Sequence, residues 1–202
     1  MAKQTTKRAP GADKILDAAL RLAATMRWRQ VTMERIAAEA GTTLQRVHEF
    51  FPSKSSLLTA FLERTDRAVL AGHDPDDAGE PVRERVLDVL MRRFDALMAH
   101  KEAVRSIVRD AGCDPLALVC TAPNFARSMA WSLEAAGVNA DGPMGALRIK
   151  GLGAIYLAGL RVWLKDDTED MSLTMAQLDK GLRRAEALIS AVSRKGGARA
   201  AA

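Results

Sequence analysis

Between Gly41 and Lys54 the chain carries Thr43, Gln45, Arg46, His48 and Glu49 within one short helical span, then Lys54 just past a proline. An arginine fork bridges the O6 and N7 of guanine, a glutamine bridges adenine, and a threonine hydroxyl or lysine ammonium holds a phosphate. The chemistry this run suits is nucleic-acid contact. Each of these side chains is also a common type on a solvated surface. Glu49 counts against phosphate binding, although a glutamate can accept from cytosine N4. Phe50 is ambiguous, and Phe51 reads as core.

Residues with catalytic potential are scattered. His48, His73 and His100 fall in three contexts, none with a suitably spaced nucleophile, metal partner or phosphate-cradling glycine loop. Asp166, Asp167, Glu169 and Asp170 cluster between two predicted helices and read as solvent-facing capping charges. Cys113 and Cys120 lie in an apolar stretch with no nearby histidine, which is neither a zinc spacing nor a disulfide framework. The chain is therefore expected to be no enzyme, with no cofactor, metal or catalytic residues.

Helices must position the Thr43 to Lys54 run. Aromatic content is 4% and apolar residues recur three or four positions apart, so the expected class is all-α with about nine helices. Ile15, Leu16, Ala19, Leu22, Ala23 and Met26 make one stripe of a first helix. Thr32 stands at the N-cap of a second, which Gly41 ends in a left-handed turn, and Thr43 caps a third that Pro52 stops. Ile36, Ala37 and Ala40 are expected to pack on Leu44 and Val47, which leaves Thr43, Gln45, Arg46, His48 and Glu49 facing outward. Ser53 caps a fourth helix whose apolar side is Leu57, Leu58, Phe61, Leu62 and Val69.

The linker "HDPDDAGEP", His73 to Pro81, divides the chain into residues 1–71 and 72–202. Beyond it, Val86, Leu90, Phe94 and Leu97 share a helix face. Asp114 and Pro115 start a later helix, Pro123 is expected to bend or split it, and Gly137 to end it. Phe94, Met98, Cys120, Phe125, Met129, Trp131 and Trp163 are the large or soft side chains available to line an apolar ligand pocket, or to form ordinary core. No buried charge is anticipated among them. The set suits an apolar or aromatic ligand, and the absence of charge argues against a highly charged one.

The last helix carries Met171, Met175, Leu178, Leu182, Ala185, Ile189 and Val192 at alternating spacings of four and three, a seam that needs a partner helix. The helix before it holds Gly151, Gly153, Ala154, Ala158 and Gly159, small enough for close packing. The pair is expected either to meet its copy in a homodimer, through Gly151, Ala158, Met175, Leu178, Leu182 and Ile189, or to pack within its own chain.

Residues 1–71 hold twelve Lys or Arg against seven Asp or Glu, whereas residues 72–202 hold eighteen of each. A local basic excess suits a polyanion. The longest apolar run, Gly151 to Leu160, is half of the ~20 residues a spanning helix needs. No stable membrane insertion is expected, and the location expected is cytoplasmic.

From Ile15 to Leu58, with Trp28, Thr32, "IAAEAG" and "FPSK" at matching separations, the sequence resembles the TetR family of transcriptional repressors. That resemblance implies a three-helix DNA-binding domain followed by a helical domain that dimerises and holds a small inducer. Carried over by position, it implies backbone-phosphate contacts for Thr32 and Lys54, base or phosphate contacts for Thr43, Gln45 and Arg46, and a phosphate contact for His48. Lys3, Lys7 and Arg8 would add contacts from an N-terminal arm. The implied partners are double-stranded DNA, a second copy of the chain and a small apolar ligand, lipids included.

Arg148 to Arg184 is also similar to lipid-binding accessory proteins of coenzyme Q biosynthesis, which share the TetR fold. The matching residues include Lys150, Tyr156, Trp163, Asp166, Thr168, Thr174 and Asp179. That likeness implies an isoprenoid or other lipid held between helices, without DNA.

Overall fold

A computed structural model of the chain describes residues 10–73, 79–111 and 115–200, and side chains within 11–73, 79–110 and 121–189. The described residues form nine α-helices and no strand, as the all-α expectation requires: α1 Pro10–Thr25, α2 Met33–Glu39, α3 Leu44–Phe50, α4 Lys54–Ala71, α5 Val82–Met98, α6 Lys101–Ala111, α7 Pro115–Ala135, α8 Gly142–Trp163 and α9 Ser172–Ala200. A 3-10 turn, Trp28–Gln30, joins α1 to α2. None of the described helices is long and apolar enough to cross a membrane. The helices form two compact units that interleave in sequence, one holding the chain up to Arg64 and Leu97–Asn124, the other Thr65–Ala96 and the chain from Phe125 onward.

In the first unit α1 lies along α6 and α2 packs on both α1 and α3. Ile15, Leu16, Ala19 and Ala23 of α1 are buried with Val31, Ile36, Val47, Phe51 and Leu57. The 3-10 turn has backbone groups that no helix satisfies, and α6 supplies their partners. The Ser106 hydroxyl accepts from the Trp28 N–H at 2.9 Å and donates to the Met26 carbonyl at 2.8 Å, while Asp110 accepts from the Arg29 N–H at 2.9 Å.

Arg64 joins α4 to α1 through Asp17 at 2.5 Å, and its other nitrogen lies 3.2 Å from Nε2 of His100, whose ring meets Phe61 edge-on. That second contact needs a neutral imidazole. Burial, and then the Arg64 charge, hold the His100 pKa below its usual value, with Asp17 partly opposing them. The unfolded chain thus binds the proton more readily, and stability falls as pH drops through about 6.5 toward the depressed native value. The urea midpoint is expected to decline between pH 7 and 5, and less steeply in His100→Asn.

In the second unit α8 and α9 run antiparallel, with Gly159 against Leu178 and Gly181 against Ile155. A Cβ at Gly159 would sit 2.6 Å from the Leu178 side chain, and one at Gly153 would sit 3.2 Å from the Phe125 ring. These two glycines allow the close approach anticipated for the helix. Gly151 has open space instead.

In the loop between α8 and α9, Asp167, Glu169 and Asp170 are exposed as expected, but Asp166 departs from that expectation and is buried. One carboxylate oxygen accepts from the Thr174 N–H at 2.8 Å and hydroxyl at 2.6 Å, and the other from the Thr168 N–H at 3.2 Å and hydroxyl at 2.6 Å. Burial pushes its pKa up, but the four hydrogen bonds win and bring it down to about 2. Asp166→Ala orphans buried donors at the start of α9 and is expected to cost about 2 kcal/mol in denaturant unfolding. The carboxylate's stabilisation is present above pH 4 or so and lost as pH falls toward 2.

Local signals elsewhere held. Gly41 has a φ of 59°, the left-handed turn expected after α2, and Gly137, expected to end α7, follows it with a φ of 68°. Pro123 does not split α7, which runs unbroken from Pro115 to Ala135. Its ring removes one N–H···O bond, and the flanking turns carry the helix through. Cys113, Asp114, Lys3, Lys7 and Arg8, and the Cys120 and Val192 side chains, lie outside the described residues.

Candidate nucleic-acid interface

The turn between α2 and α3 is built by two threonine caps. Thr32 Oγ1 accepts from the Arg35 N–H and Thr43 Oγ1 from the Arg46 N–H, both at 3.2 Å. Each hydroxyl keeps its own hydrogen to donate. A cap leaves the first-turn amides of a helix directed outward, where an anion is favoured. Thr32 and Thr43 are both exposed, as a phosphate contact requires.

On α3, Val47 is fully buried, and Gln45, Arg46, His48 and Glu49 are exposed, so those four are brought together on one outward surface. Leu44 does not pack on α2 as expected but stands 52% exposed. Val47 and Phe51 fill the buried stripe, and Leu44, about 60° from Val47 on the His48 side, is left outside it. At 100° per residue, Gln45 and Glu49 occupy the centre of the outward face, with Leu44 and His48 on one flank and Arg46 and Phe50 on the other.

Glu49 is not a free negative charge. Its carboxylate takes Nη1 of Arg46 at 2.6 Å, and the guanidinium carbon lies 4.5 Å from the Phe50 ring centroid. Phe50 in turn rests against the first turn of α1, where a Cβ at Gly11 would meet the ring at 3.3 Å. The residue whose place sequence left ambiguous is thus a platform for the arginine. Spacings of three and four on a helix bring such side chains together.

Lys54 folds inward rather than outward. Its ammonium donates to the Trp28 carbonyl at 2.5 Å and lies 4.4 Å over the Trp28 ring. Ser53 and Ser56 cap α4 reciprocally, each hydroxyl accepting the other's N–H, at 3.1 and 3.2 Å.

The residues proposed to line a ligand pocket divide. Phe94, Phe125, Met129 and Trp163 gather around Tyr156, with Phe94 stacked on it at 5.2 Å, Phe125 at 5.8 Å, and Trp163 at 5.5 Å from Phe94. Met129 and Phe125 both border Gly153. Trp131 is 52% exposed, and Met98 belongs to the other unit, where it lines an open groove of about 490 Å³ with Asp17, Leu20, His100 and Glu102.

The anticipated absence of buried charge does not hold. Arg93 is 1% exposed and pairs with Asp66 at 2.7 Å. It also donates to Ser128 and, at 3.4 Å, to Ser132, and lies 5.5 Å from the Tyr156 ring centroid. Its Nε has no hydrogen-bond partner. Burial raises the Tyr156 pKa, against the lowering pull of Arg93. Sequence contained a signal for this: Arg93 sits three residues after Leu90 and four before Leu97, inside the buried stripe of α5.

Of the residues proposed for a dimer seam, Leu178 and Leu182 are buried within the chain's own fold and Ala158 is half-buried. Gly151, Met175 and Ile189 are exposed. Met144 and Leu147 at the start of α8, and Leu188 and Ile189 late in α9, are all more than half exposed. The α8 and α9 register places these four at similar height. Among the described residues, no cluster of three or more His, Cys, Asp or Glu side chains is placed to hold a metal ion.

A capped helix, a tight left-handed turn and a second capped helix with an outward polar face define a helix-turn-helix. Residues 15–61, which contain it, match the family model for bacterial regulatory proteins of the tetR family. Over most of its length the chain shares the fold of solved TetR-family transcriptional regulators. It superposes with a TM-score of 0.71 on the TetR transcriptional regulator from Nitrosomonas europaea ATCC 19718, at 24% identity, covering 88% of this chain and 99% of that one. A TetR transcriptional regulator from Rhodococcus sp. RHA1 gives 0.65 at 20% identity over 86% and 93% of the two chains. A tetR-family regulator from Streptomyces coelicolor gives 0.57 at 21% over 93% and 88%. No curated protein sequence matches the chain significantly.

Proposed function

We propose that the protein is a ligand-responsive transcriptional repressor that binds a pseudo-palindromic operator as a homodimer. The observation that carries this reading is the outward face of α3, where Gln45, Arg46 and His48 stand exposed beside two capping threonines. Arg46 and Gln45 are exposed side chains of the types that read base edges, and Thr32, Thr43 and His48 would supply phosphate donors. Lys54, turned onto Trp28, acts first as a brace for the turn and offers its charge at short range. Residues 1–71 form the DNA-reading part, and residues 72–202 the part that pairs and binds ligand.

The exposed apolar side chains of α8 and α9, Met144, Leu147, Leu188 and Ile189, support pairing. Two copies of α3 would then enter successive major grooves, ~34 Å apart. The aromatic group around Tyr156 favours an apolar or aromatic inducer, and Arg93 beneath it adds a donor for an acceptor on that ligand. A ligand releases DNA only to the extent that it binds the released arrangement more tightly than the DNA-bound one.

The test is fluorescence anisotropy with genomic fragments, including the DNA upstream of the protein's own gene, across a salt series. Specific fragments should bind well above random duplex, with log K falling linearly in log salt. Binding no tighter than random duplex for every fragment rejects the repressor. A co-purified lipid under that result would instead support the accessory-protein reading.

A further inference from the structure

We infer that Glu49 and Phe50 are positioning residues that hold the Arg46 guanidinium as a ready-made guanine reader, so that an acid on the reading face raises specificity. This rests on the DNA-reading function proposed above. The arginine side chain is 56% exposed, and an unrestrained arginine loses much rotamer freedom when it docks on a base. Here that loss is met before DNA arrives. Glu49 fixes Nη1 from one side at 2.6 Å, Phe50 fixes the guanidinium plane at 4.5 Å, and Phe50 is itself set against Gly11. Preorganisation of this kind lowers the cost of binding rather than adding contacts.

The guanidinium is planar and has five donors, so occupation of Nη1 leaves an adjacent pair, Nε and Nη2, for the O6 and N7 of one guanine. The paired charges of Arg46 and Glu49 offset one another, which weakens the pull on phosphates in general. An exposed pair three residues apart does little for fold stability. Its consequence lies in orientation. The outcome is a directed reader: low affinity for DNA at large and strong preference at one base position.

The experiment uses the full chain and an operator selected by it from random duplexes. Binding is compared with a scrambled duplex and with the operator in which the selected guanine is replaced by 7-deazaguanine. Glu49→Ala removes charge and support together. It should tighten scrambled-duplex binding yet cut the operator-to-scrambled ratio about tenfold, the scale of one bidentate base contact. Glu49→Gln removes the same charge but keeps an acceptor at the same reach, and should retain most of the ratio. Phe50→Leu should lose ratio without a change of charge, and 7-deazaguanine should weaken the wild type and leave Arg46→Ala indifferent. If Glu49→Ala and Glu49→Gln shift operator and scrambled duplex alike, Glu49 is only a repulsive charge and the inference is overturned while DNA reading stands. A wild type that selects no sequence overturns the DNA-reading function itself.

Discussion

Arg46→Ala is expected to weaken binding to the specific operator by about 1–3 kcal/mol, roughly ten- to a hundredfold, with the fold intact. The side chain is exposed, and its pairing with Glu49 three residues on is of the kind that contributes little to stability. Circular dichroism and the thermal midpoint should therefore barely change. The pattern of loss identifies what Arg46 touches. A base reader loses more on the operator than on scrambled DNA, and the preference at its base relaxes. A phosphate contact loses equally on both, and the salt slope shrinks by about one. Anisotropy titrations at three salt concentrations on two duplexes separate these outcomes.

Arg93→Ala is expected to destabilise the fold by about 3–5 kcal/mol, because it leaves Asp66 as an uncompensated charge, with Ser128 and Ser132 short of a donor. The Asp66 side chain is 15% exposed, so water only partly replaces the arginine. Replacing both partners, as Arg93→Met with Asp66→Leu, should cost far less, since a buried ion pair recovers little more than its own desolvation. Urea unfolding of the two variants and the wild type measures the difference.

What sequence made legible was local. Thr32 and Thr43 as caps, Gly41 and Gly137 as helix stops, and the Val86, Leu90, Phe94 and Leu97 stripe all depend on neighbours within a few residues, and all appear in the fold. Periodicity assigns residues to a stripe, but not what the stripe meets. Leu178 meets Gly159 of its own α8 and Leu182 is buried, while Ile189 on the same stripe stays exposed. Arg93 lay in a buried stripe in plain view, yet its partner Asp66 is on another helix, and no spacing connects residues 66 and 93.

The reading face shows the same boundary. Thr43, Gln45, Arg46 and His48 face outward as expected, because the helical period puts Val47 alone among residues 45–48 on the buried side. Leu44 was misplaced, because apolar type alone does not decide burial at the first turn of a helix. Phe50 stayed ambiguous because its support, Gly11, is at the start of α1. Glu49 looked like a repulsive charge until its bond to Arg46 gave it a partner.

The most direct measurement of the central claim is selection from a pool of random duplexes by the full chain, followed by sequencing of what is retained. The account predicts an enriched inverted repeat whose half-sites are centred about one helical turn, or a multiple of 10–10.5 base pairs, apart, with a guanine whose enrichment disappears in Arg46→Ala. A pool that stays random after repeated rounds, or a motif that Arg46→Ala leaves unchanged, contradicts it.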